Sequence, residues 1–117
     1  MKKIYKLFTT ILLVICSFAC HAQDVNILLK EAENLEYKFK ETEALDKYKQ
    51  VLVADGNNLK ALIKTAELSA VIGARQTNKK DKQLYFQSAL AFAQRALAVN
   101  ANSDDANYVM AMASGKL

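Results

Sequence analysis

Residues 44–52, Ala44-Leu45-Asp46-Lys47-Tyr48-Lys49-Gln50-Val51-Leu52, recur in altered form at 89–97 as Ala89-Leu90-Ala91-Phe92-Ala93-Gln94-Arg95-Ala96-Leu97. The likeness continues through Asp55-Gly56-Asn57-Asn58 against Asn100-Ala101-Asn102-Ser103, and on to Ala61 against Ala106. Both copies place apolar residues three and four apart, which puts them on one face of an α-helix. The chain therefore contains a duplicated helical unit.

The same period runs outward from this unit. Leu28, Ala32, Leu35 and Phe39 form one face, Leu59, Leu62, Ile63 and Ala66 another, and Ala89, Phe92, Ala96 and Val99 a third. No segment alternates with a period of two, so the fold class expected is all-α. Punctuation predicts five helices. The first starts at Asp24 and ends near Lys38 or Lys40. The second runs from about Thr42 to Ala54, with Gly56 after it in a left-handed turn. The third, capped by Asn57 or Asn58, ends at about Ile72, where Gly73 is expected to close it in the same way. Ala74 to Lys80 reads as a loop. The fourth runs from Asn78 or Asp81 to Val99, and the fifth from the Ser103 cap to Gly115, with Asp104 and Asp105 suiting the helix dipole in its first turn.

Small residues recur on these helices: Ala32, Ala66 and Ala111 on the first, third and fifth, and Ala44, Ala89 and Ala96 on the second and fourth. Tyr48 follows Ala44 on the second helix, and Phe86 precedes Ala89 on the fourth. With little beyond Cβ, such alanines let paired helices approach closely. This pattern resembles the tetratricopeptide repeat, in which a first helix bearing a small residue alternates with a second helix of the form Ala-Leu-x-x-aromatic-x-x-Ala-Leu. The resemblance implies antiparallel hairpins stacked as a short right-handed solenoid, with Ala32, Ala44, Tyr48, Ala66, Phe86, Ala89, Ala96 and Ala111 as packing positions. Three departures stand beside it. Gly56 and Ala101 replace the family's turn proline, Ala93 replaces an aromatic, and the copies lie 45 residues apart against a family period of about 34.

Before the helices comes a segment of a different kind. Lys2, Lys3 and Lys6 precede an apolar run from Leu7 to Ala19, and Cys20-His21-Ala22 ends it with small residues at its last and third-last positions. A basic start, a short apolar run and a small-x-small end predict a secretory signal peptide over residues 1–22, cut between Ala22 and Gln23. The helical domain would then occupy residues 23–117, in the periplasm or outside the cell. The alternative is a lipid anchor at Cys20, although Ser17 stands where a lipoprotein signal usually has a leucine-like residue.

Cleavage would change the composition. The chain carries 16 Lys and Arg against 12 Asp and Glu. Three of the basic residues and none of the acidic ones precede Gln23, which leaves 13 against 12. The basic balance thus belongs mainly to the first segment and gives no footprint for nucleic acid. Cys16, Cys20 and His21, the only cysteines and histidine, would also be lost. Tight zinc and copper sites draw on those residue types, as do most nucleophile–base pairs. No cofactor and no catalytic residue is therefore expected.

Weaker candidates remain. A Ser-Lys pair would have to use Ser69, Ser88, Ser103 or Ser114, none of which sits in a motif. The paired carboxylates Glu33 with Glu36, and Glu43 with Asp46, lie among lysines, and ion pairs Glu36–Lys40 and Glu43–Lys47 along solvated helix faces explain them. Arg75, Lys79, Lys80 and Lys82 form the one basic cluster, which reads as a solvated hairpin tip; binding RNA or lipid there would need more charge or interleaved aromatics. Tyr48 and Phe92 are expected in the core. The function expected is a non-catalytic scaffold for a protein or peptide partner, with the membrane met only through the signal segment. The alternative is the N-terminal part of a larger repeat protein or transport-associated assembly.

Overall fold

The computed structural model describes residues 24–115. The expected signal peptide and its cut between Ala22 and Gln23 lie outside the described residues. Within them the protein is all-α: α1 (24–37), α2 (Glu41–Ala54), α3 (Leu59–Ala74), α4 (Lys79–Val99) and α5 (Asp104–Ser114).

Short polar side chains start three of the helices. Asn58 accepts a hydrogen bond from the Ala61 amide at 3.0 Å. Asn78 accepts from the Lys80 and Asp81 amides at 2.9 and 3.2 Å, and Ser103 from the Ala106 amide at 3.2 Å. Each satisfies donors that a helix N-terminus leaves free. α2 has no side-chain cap, but Glu41 and Glu43 place negative charge in its first turn, where the helix dipole favours it.

The helices pack as hairpins around α3, which touches α2, α4 and α5 and is tied to α1 by side chains. That central place requires burial around most of its circumference. Ala61, Leu62, Thr65, Ala66, Leu68, Ser69, Ala70, Ile72 and Gly73 are all buried. The main core joins Ala32 of α1 to Ala44, Leu45, Tyr48, Val51 and Leu52 of α2 and to Leu62 of α3. Two smaller clusters are made mostly of alanine: Ala66 with Ala93 and Val109, and Ala70 with Phe86, Ala89 and Ala113. Side chains this small bring helix axes close.

The glycines do not act as the sequence suggests. No glycine has a positive φ, so neither Gly56 nor Gly73 makes a left-handed turn. Gly73 lies inside α3, where a Cβ would stand 2.7 Å from Tyr85 Cβ. It is there so that α3 and α4 can touch. The left-handed residue is Phe39, with φ 58°. The Phe39 amide donates to Glu36 O and the Lys40 amide to Leu35 O, both at 2.9 Å. This pair of bonds is a Schellman cap, whose left-handed position is usually glycine. Phe39 therefore leaves the apolar face of α1 on which its spacing placed it, and it is 89 % exposed.

Candidate functional site, a charged seam between the helices

Four acidic residues of α1 and α2 meet basic residues of other elements. Glu31 pairs with Lys47 of α2 at 2.9 Å. Glu33 pairs with Lys60 of α3, and Glu41 of α2 with Arg75 after α3. Glu36 takes Lys64 of α3 at 3.0 Å, and Lys64 also reaches Glu67 at 3.1 Å. These contacts replace the local pairs Glu36–Lys40 and Glu43–Lys47 expected from sequence. A charge three or four residues away on its own helix competes with one on the facing helix, and here the facing helix is within reach.

Behind this seam lies Tyr48. Its side chain is wholly buried, and its hydroxyl donates to Glu36 Oε2 at 2.5 Å. Burial raises the Tyr48 pKa well above the ordinary value, and the bond to Glu36 and the charges of Glu36, Glu33 and Glu67 raise it further. Lys64 is pulled down by burial, but its bonds to Glu36 and Glu67 outweigh this and leave its pKa raised. Both groups hold their protons. A lysine acting as nucleophile or base must lose its proton near neutral pH, and Lys64 is set the opposite way. Within the seam Lys64 thus stays charged between two carboxylates.

The candidate serines fall elsewhere. Ser103 is occupied as the cap of α5. Ser69 is buried on α3, and neither its hydroxyl nor that of Thr65 has a hydrogen-bond partner among the described residues. Of the expected packing positions, Ala32, Ala44, Tyr48, Ala66, Phe86, Ala89 and Ala96 are buried, whereas Ala111 is exposed. On α5 the buried residues are Ala106, Val109 and Ala113, a three-and-four spacing that turns Ala111 outward. Ala66, at the matching place in α3, is covered by α4 and α5 through Ala93 and Val109; no further helix covers α5 in this way among the described residues. Tyr37 and Tyr108 stand outside the core, 84 % and 65 % exposed, and Phe92 is half-buried with the Arg95 guanidinium 5.3 Å from its ring centre. Arg95 also donates to the Gly56 carbonyl at 3.0 Å, fixing α4 to the α2–α3 turn.

The helices and their seam define an all-α domain of packed hairpins joined by cross-helix ion pairs. The chain belongs to the family described as regulator of microtubule dynamics protein 1-3, whose model matches residues 28–117. That match corrects the resemblance to the tetratricopeptide repeat. Small residues at helical spacing serve any tightly packed pair of helices, so the alanines did not single out one family. No curated protein and no solved structure matches the chain.

Proposed function

We propose that this chain is a non-catalytic interaction domain that binds a protein or peptide partner through the charged face of α1 and α3. The observation carrying this reading is the Glu33–Lys60 and Glu36–Lys64–Glu67 array. It presents both signs of charge in a fixed order along α1 and α3. Fixed, alternating charge favours specificity and register in recognition more than raw affinity. We further propose that the domain acts after export, in the periplasm or outside the cell, on the strength of the layout of residues 1–22.

A charge swap tests the binding reading. In Glu33→Lys combined with Lys60→Glu the internal ion pair is kept and the order of charge on the surface is reversed. A partner recovered with the wild-type chain should be lost with the double variant at unchanged thermal stability. Equal recovery by both would set the seam aside as the binding surface.

A further inference from the structure

The α1–α2 turn reads Tyr37-Lys38-Phe39-Lys40, an aromatic and a lysine in strict alternation. Phe39 adopts a left-handed backbone that glycine or asparagine would accept more cheaply. The cap bonds of Phe39 and Lys40 hold this backbone, as surrounding structure must where strain persists, but they call for no aromatic ring. Inside the molecule Phe39 gains nothing, being 89 % exposed and outside every core cluster. Tyr37 beside it is 84 % exposed. Lys38 and Lys40 are exposed too, and neither joins the ion pairs found among the described residues.

The fold adds charge to this turn. Arg75 donates to Glu41, one of its bonds measuring 3.3 Å, and so binds the α3–α4 loop to the start of α2. That loop and the first turn of α4 bring Lys79, Lys80 and Lys82 to the same end of the domain, with Leu84 exposed just beyond. Six basic residues (Lys38, Lys40, Arg75, Lys79, Lys80 and Lys82) share this end with four acidic ones (Glu36, Glu41, Glu43 and Asp81), of which Glu41 is already paired with Arg75 and Glu36 with Lys64. The opposite end carries Asp55 in the α2–α3 turn and Asp104 and Asp105 at the start of α5, with Lys60 and Arg95 as its basic residues. The interleaved aromatics and added charge that the basic loop lacks in sequence are thus supplied by a turn some forty residues earlier.

We propose that this end of the domain docks on an anionic lipid bilayer, independently of the seam. Tyr37 and Phe39 enter the headgroup layer, while Lys38, Lys40, Lys79 and Lys80 lie against lipid phosphates. Aromatic rings settle at the interface, lysine stems keep their charges in water, and basic residues near an anionic surface add attraction that salt screens. A single-stranded nucleic acid fits less well. Its bases stack along a groove, and rings this exposed stand on a projecting tip.

The chain contains no tryptophan, so one introduced indole reports its own surroundings. Full-length Phe39→Trp is mixed with vesicles of phosphatidylcholine alone, or with about 30 % phosphatidylglycerol as the anionic component. Val53→Trp, at the opposite end and 90 % exposed in the parent, reports any attachment through another part of the chain. The indole at position 39 should shift to the blue and be quenched by brominated lipid tails only on anionic vesicles. The shift should be lost in about 1 M salt and in Lys38→Glu/Lys40→Glu. Tyr37→Trp should behave as Phe39→Trp does. No shift at either position, an equal shift at position 53, or a shift with RNA but none with vesicles would overturn the proposal, as would a shift indifferent to the lysines.

Discussion

The Tyr48 hydroxyl donates to Glu36 Oε2 at 2.5 Å, joining α2 to α1 where Glu36 also accepts Lys64 from α3. Three helices meet in this one carboxylate. Because Tyr48 and Lys64 both have raised pKa values, the unfolded chain releases these protons first as pH rises. Their contribution to stability is complete below the ordinary values of 10.0 and 10.5. It is lost as pH climbs from there toward the folded values. Urea midpoints measured from about pH 8, below both ordinary values, to about pH 11, above both, should fall at the alkaline end. Tyr48→Phe should cost about 1–3 kcal/mol at neutral pH, as loss of a hydrogen bond to a charged group does, and should flatten the alkaline fall.

The two glycines should respond oppositely to the same substitution. Gly73→Ala forces a Cβ to within 2.7 Å of Tyr85 Cβ and should destabilise by about 1–3 kcal/mol, as overpacking does. At Gly56 the nearest atoms lie at 3.7 and 3.8 Å and the φ is not positive. Gly56→Ala should be neutral or stabilise by up to about 1 kcal/mol, since the unfolded chain loses freedom. Thermal melts of the two variants decide the matter.

Thr65 and Ser69 hold buried hydroxyls one turn apart on α3, without partners among the described residues. An unsatisfied buried polar group costs about 1–3 kcal/mol. Thr65→Val and Ser69→Ala should each raise the urea midpoint with an unchanged slope. A fall in either midpoint would show that the hydroxyl is satisfied in solution.

Phe39→Gly should stabilise the fold by about 1 kcal/mol, because glycine occupies the left-handed region without the penalty an L side chain meets. Phe39→Ala should not, since it keeps the Cβ. Chemical denaturation of the pair separates backbone strain from loss of the ring.

Sequence reached as far as local signals extend. The Ser103 cap and the five helices were legible, and Asn58 and Asn78 were each one of two candidates (beside Asn57 and Asp81), because a helix start is decided within four residues. Tyr48 was legible as core, but its bond to Glu36 was not: twelve residues and a helix turn separate them. The ion pairs were misjudged for the same reason, since Lys64 and Lys60 reach α1 only once α3 has docked. Phe39 matched the apolar spacing of α1, yet its backbone had already left the helix. Ala111 matched Ala66 at the duplicated distance, but burial depends on which neighbours surround a helix, and among the described residues α5 has fewer than α3. A duplicated pattern of alanines also described close packing without specifying a family.

The central claim is that the α1–α3 seam is a surface for a partner. Photocrosslinking in the producing cell tests it most directly, with a photoreactive residue at Lys60 of the seam or at Gln94 on the exposed side of α4. One discrete protein adduct from position 60, and none from position 94, is the result predicted. Adducts of equal yield from both positions, or none from position 60 in folded protein, would contradict it.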